Sequence, residues 1–209
     1  MLRNNVHLPQ SELAMSRRFV DTGLSWYDTH TFFAERGGRM PLLGEYFALF
    51  SEPLKNSQGI PYSNKRTRLF RTNLLRKREK PRIEWIDALF VYRDSQWYLH
   101  QKHTLVGDCF EAQERIPLID FFHKDGMVAL DVLTESGWPS PPPQLSSSRY
   151  KVFSLRPKDR HVAVLYIGHQ GPQLRCNEPP GYEGTNRGGR PVYSLASPVN
   201  LEQRLSPTG

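Results

Sequence analysis

Positions of one parity are apolar throughout the middle of the chain. Ile86, Ala88, Phe90 and Tyr92 interleave with Asp87, Leu89, Val91 and Arg93. Arg93-Asp94-Ser95-Gln96 makes a turn, and residues 97–106 run back. Side chains on a strand point to opposite faces in turn, so residues 83–106 are predicted to form an antiparallel hairpin. Residues 127–133 read as a further strand. Residues 149–155 and 161–167 read as a second hairpin, joined by Arg156-Pro157-Lys158-Asp159-Arg160. The first 39 residues read mostly as helix. Ser11 is placed to cap 12–19, Asp28 to cap a short helix through Glu35, and Gly37-Gly38 to end it. The apolar run 44–50 fits a strand or a buried helix. Residues 116–124 read as a short amphipathic helix ended by Gly126. Residues 52–64 and 138–148 carry the prolines of loops, the second with a polyproline bias.

Residues 65–82 break this pattern. Nine cations (Lys65, Arg66, Arg68, Arg71, Arg76, Lys77, Arg78, Lys80 and Arg82) face one acid, Glu79, a local excess of +8. The whole chain carries +7 with a pI near 9.5, so the remainder carries −1. Ser63 or Asn64 is placed to cap a helix here that Pro81 would stop, with Leu69, Phe70, Leu74 and Leu75 leaning to one side; a strand is the alternative. A near-neutral body with one cationic stripe points to a polyanionic partner. Arg68, Arg71, Arg76, Lys77 and Arg78 are the expected phosphate contacts, with Lys65, Arg66, Lys80 and Arg82 in support. Phe70, Trp85 and Tyr62 lie near enough in sequence to stack single-stranded bases. A solvated helix face, or a surface that docks an acidic protein, would carry the same charge.

Composition adds limits. Hydrophobic residues are 38% of the 209 and aromatics 11%, enough for one core that does not include the whole chain. Prolines and glycines crowd the stretch from His169 onward, where periodicity fades. The expected organisation is one α+β domain over 1–168 followed by an extended Pro/Gly-rich tail over 169–209. No apolar run reaches the length of a membrane span, and residues 1–16 lack the apolar core of a secretory signal. Cys109 and Cys176 form no paired motif. Reduced thiols and a cytoplasmic location are expected, with no metal and no cofactor.

Catalytic candidates are few. On a strand, His100 and His103 face opposite sides and do not converge on a metal. His30-Thr31 and His103-Thr104 resemble the paired His-Thr elements of two-histidine phosphoesterases, although there the threonine stands two residues after the histidine. His30 and His103 are therefore the weak candidates for a catalytic pair. The run 181–189 (GYEGTNRGG) before Arg190 is glycine-rich enough for backbone amides to approach phosphate, but lacks the Walker and Rossmann spacings. The order of basic helix, hairpin and glycine-rich tail resembles that of CRISPR repeat-processing endoribonucleases, which implies RNA-hairpin cleavage. That family also opens with a strand, which is not expected here.

A further resemblance covers residues 26–168. His30 to Gly37 as an opening helix, the 85–106 arm with Asp94 at its turn and Trp97 after it, Pro117-Leu118 before Phe121-Phe122, and closing strands over 149–167 are similar in order to the chorismate lyase fold, shared with the ligand-binding domain of some bacterial repressors. The resemblance places Ile86 where that family has its substrate-binding arginine and Val164 where it has its essential glutamate. It therefore implies the scaffold without the lyase reaction. The function these observations favour is a non-enzymatic nucleic-acid-binding component, RNA or DNA, within a larger nucleoprotein complex. An endoribonuclease and a basic module for an acidic protein remain the alternatives.

Overall fold

The computed structural model describes residues 5–8, 12–51, 60–118, 125–133, 139–140 and 150–195. In it the 83–106 alternation becomes β4 (Arg82–Arg93) and β5 (Gln96–Val106), antiparallel, with Arg93 opposite Gln96. Asp94 and Ser95 adopt φ of 51° and 61°, the double left-handed geometry that suits the right-handed twist of a hairpin. A second tight turn at Gly107-Asp108 leads into β6 (Cys109–Pro117), with Val106 opposite Cys109. Residues 116–117 are therefore strand rather than the start of a helix, and 119–124 lie outside the described residues.

Elsewhere along the chain the elements are β1 (Asn5–His7), β2 (Leu13–Ser16), β3 (Val20–Asp21), α1 (Trp26–Ala34), α2 (Leu43–Ser51), α3 (Asn64–Leu74), β7 (Gly126–Leu133), β8 (Pro139–Ser140), β9 (Lys151–Leu155), β10 (His161–Gly168), β11 (Gly171–Glu178), β12 (Arg187–Gly189) and β13 (Val192–Ser194). The fold is α+β, with a strand-rich and largely antiparallel main sheet. The expected helix over 12–19 is instead β2 and its flank, paired with β1 and β13 in a small sheet. Ala14 and Met15 find their partners across that sheet, a tertiary pairing that overrides local helix propensity. The helix expected through Glu35 forms as α1. Its cap is Ser25, which accepts from the Asp28 amide while its hydroxyl donates to the Asp28 carboxylate. The ambiguous apolar run is α2.

The main sheet runs β3-β12-β4-β10-β11-β9-β7-β8, with β5 and β6 continuing from the far half of β4. β9 and β10 do not form the expected hairpin. β11 lies between them, antiparallel to β10 and parallel to β9. The C-terminal stretch from 169 is thus no separate tail through residue 195: β11 is central to the sheet, β12 lies between β3 and β4, and β13 closes the small sheet. The sequence boundary at 168 falls inside the β10–β11 hairpin. Residues 196–209 lie outside the described residues.

Both faces of the main sheet are covered. Ile86, Ala88 and Phe90 share one core with the α2 side chains Tyr46, Phe47 and Phe50, while Trp85, Val162 and Val164 pack with Trp26 and Phe33 of α1. This explains why β4 carries apolar residues at both parities. The partner of β4 changes along one edge, from β12 at Ile83–Glu84 to β5 from Leu89 onward. In the interval, the Trp26 indole donates to the Ile86 carbonyl (2.8 Å) and the Asp87 amide donates to Pro41 (2.8 Å). Helix α1 and the 41–42 segment thus satisfy an edge that no strand covers.

Candidate functional site

α3 confirms the helix expected in the basic segment. Ser63 accepts from the Arg66 amide as its N-cap, and the helix ends at Leu74, several residues before Pro81. Thr67, Phe70, Arg71 and Leu74, at i, i+3, i+4 and i+7, are the positions turned toward the body. Leu69 does not join them: it is 58% exposed on the cationic face. Lys65, Arg66, Arg68, Arg76, Lys77, Arg78 and Lys80 are exposed, and none has an ion-pair partner among the described residues. A groove of about 1040 Å³ runs beside α3, lined by Lys65, Arg68, Leu69, Arg71, Thr72 and Tyr150. Arg78 donates its amide to Gly168, which places the stretch after α3 against the β10–β11 turn.

Two of the nine cations serve the fold. Arg71 donates from Nε to the Leu49 carbonyl (2.6 Å), tying α3 to α2. Arg82 is buried, with Nε 2.7 Å from Glu84, and donates to the Leu74 carbonyl. Glu84 also receives Arg190 (3.0 Å) and the Tyr46 hydroxyl (2.5 Å). Burial pushes the Glu84 carboxyl up, but the Arg190 and Arg82 guanidiniums and the Tyr46 hydroxyl outweigh it, leaving it below its ordinary value. Arg82 is therefore not a phosphate contact. The expected stacking aromatics are also committed elsewhere: Trp85 is buried in the α1-side core, Phe70 packs against the α2-side core, and the Tyr62 hydroxyl donates to the Asn5 carbonyl.

The glycine-rich run is structural as well. A Cβ on Gly188 would stand 1.9 Å from the Val20 carbonyl oxygen, so only glycine lets β12 lie between β3 and β4. Arg187 pairs with Glu178 (2.8 Å) and stacks on Tyr182 and Trp85. These arginines hold the sheet edge together and do not form a phosphate cradle.

His30 and His103, far apart in sequence, come together around Asp87. α1 supplies His30, β4 supplies Asp87 on its α1-facing side, and β5 supplies His103. Lys102, at φ 57°, precedes His103 in β5. The three residues are 5%, 2% and 9% exposed. Asp87 Oδ1 is 2.5 Å from His103 Nδ1 and 3.6 Å from His30 Nε2, and Oδ2 accepts from the His103 amide (3.1 Å). His30 Nε2 has no hydrogen-bond partner among the described residues. Burial brings the His30 imidazole down to about 4, against the opposing pull of Asp87 and with a further push from His103, so it is neutral at pH 7. The Trp26 ring meets both imidazoles edge-on, and Phe110 lies 5.3 Å from His30.

No family model, curated protein or solved structure matches this chain. The site therefore stands on its geometry. Sequence reasoning found the two histidines but missed Asp87, because the strand alternation shows it only as a polar position opposite Ile86. It missed Glu84 and Tyr46 because their contact joins β4 to α2 across 38 residues. His100, as expected, does not join His103; it is half-buried, and its imidazole is lowered by burial and by Arg115. Ile86 and Val164 are buried aliphatic core residues. A short strand, β1, opens the described chain where none was expected.

Proposed function

We propose that this protein binds nucleic acid through the exposed face of α3 and the stretch that follows it, as a non-enzymatic component of a larger nucleoprotein assembly. The observation that carries this reading is the set of seven exposed cations, Lys65, Arg66, Arg68, Arg76, Lys77, Arg78 and Lys80, without ion-pair partners among the described residues, of which Lys65 and Arg68 line an open groove. Desolvated pairing inside the molecule would have cancelled their field. Left in solvent, they raise the local concentration of phosphate and gain from counterion release. Recognition is electrostatic rather than by stacking, since the nearby aromatics are packed inward. Arg71 lines the groove but is held by Leu49, so it contributes position as well as charge.

Fluorescence anisotropy with labelled single- and double-stranded RNA and DNA, across a salt series, tests this. With six phosphate contacts, the slope of log affinity against log salt should be about −4 for a single strand and about −5 for a duplex. The variant R68A/R76A/R78A should reduce that slope by about half and leave the circular dichroism spectrum unchanged. Tight binding that ignores salt, or a triple variant that binds like the wild type, would sink the reading. Cleavage of the labelled RNA would replace it with the endoribonuclease alternative, and binding only to an acidic peptide would replace it with the docking module.

A further inference from the structure

We propose that His30, Asp87 and His103 bind a divalent transition metal, with zinc the best fit, through His30 Nε2, Asp87 Oδ1 and His103 Nδ1. The three donor atoms lie within 4.8 Å of one another, contributed by a helix and two strands. Two imidazoles and one carboxylate are a donor set that suits zinc and similar first-row ions. Tetrahedral zinc with bonds of about 2.1 Å places its donors about 3.4 Å apart. The 3.6 Å between His30 Nε2 and Asp87 Oδ1 already fits that spacing. The 2.5 Å between His103 Nδ1 and Asp87 Oδ1 is a hydrogen bond, which must open by about 1 Å as a metal ion replaces its proton.

Two independent features favour a cation here over a plain polar network. His30 Nε2 is buried and has no hydrogen-bond partner among the described residues, though the carboxylate it faces is 3.6 Å away. A buried ring nitrogen left unpaired is costly, and a metal bond would satisfy it. Asp87, for its part, is a buried carboxylate that meets these two imidazoles and, among the described residues, no lysine or arginine. Buried carboxylates are ordinarily balanced by a full positive charge or a metal. By contrast, Glu84 in the same strand has two guanidiniums. The groundwork for orientation is also present, because the His103 amide donates to Asp87 Oδ2 and holds the carboxylate with Oδ1 toward the rings. Three protein ligands leave a fourth position for water or substrate, the arrangement of zinc sites that do chemistry. This site shares no residue with the basic face, so either proposal can fail without the other.

The test uses the full chain, stripped with a chelator, reloaded with zinc chloride and dialysed. Elemental analysis should then find one zinc per chain, and zinc should raise the thermal midpoint. D87N keeps an acceptor for the His103 amide and nearly the same shape, and should weaken zinc by more than about 100-fold, beyond the 10–100-fold cost of losing an outer partner. H30Q should do the same, while the exposed-site control H169A should bind like the wild type. Cobalt(II) offers a readout without any variant. The wild type should show the intense visible bands of four-coordinate cobalt with nitrogen and oxygen ligands, and no thiolate charge-transfer band. Absence of zinc from folded, reloaded protein, unchanged affinity in folded D87N and H30Q, or a six-coordinate cobalt spectrum would each overturn the proposal.

Discussion

At the scale of the residue, the same side-chain types take opposite roles according to burial. Arg82 and Arg78 stand four apart in one basic run, yet the first is sealed against Glu84 and the second is open to solvent. Removing one member of a buried ion network leaves the others uncompensated, so E84Q should cost about 3–5 kcal/mol in denaturant unfolding. The Glu84 carboxyl is below its ordinary value of 4.5 in the folded protein. Its contribution is therefore complete above that value and is lost as pH falls through the lowered one. Stability measured along an acid series should show this loss in the wild type and lack it in E84Q. Gly188 is the other decisive residue. Its missing Cβ leaves room for the Val20 carbonyl, and G188A should destabilise by about 3 kcal/mol, because the Val20 and Thr22 backbone it would meet cannot move aside like a side chain.

At the scale of the element, local chemistry and tertiary pairing contend. The β4–β5 turn holds Asp94 and Ser95 at positive φ, which asparagine and glycine tolerate better than serine. Changing Asp94-Ser95 to Asn-Gly should stabilise the hairpin by about 1 kcal/mol, seen as a rise of about 2–4 °C in the thermal midpoint. β4 was legible because Ile86, Ala88, Phe90 and Tyr92 share one parity ahead of a turn, and α3 because Ser63 is a ready N-cap. The Gly107-Asp108 turn carried the signal of a two-residue hairpin loop, and read that way it would have revealed β6. No comparable signal marked β2, since Leu13 to Ser16 alternate too briefly to outweigh helix propensity.

At the scale of the whole molecule, the C-terminal strands turn a set of hairpins into one sheet. β11 bridges β9 and β10, and β12 and β13 tie the main sheet to the small one. A chain ended at Gly168 should therefore lose cooperative unfolding altogether, checked by thermal melts followed by circular dichroism. Among the described residues no helix is long and apolar enough to cross a membrane. The charge distribution acts at this scale too. A body near neutrality lets the field of seven exposed cations reach outward instead of being offset by an acidic surround.

The sequence by itself determined what is local: the α+β class, the 83–106 hairpin and the charge excess of residues 65–82, for which it favoured a helix over a strand. Those follow from periodicity, caps and the sum of ionised groups over neighbouring residues. Only the tertiary structure decided which cations face water, why the end of the glycine-rich run, Arg187–Gly189, is a strand, and that His30 and His103 close on Asp87. Each of these depends on residues distant in sequence meeting across a sheet edge. Burial and pairing of that kind are properties of the packed chain, and no window of residues contains them.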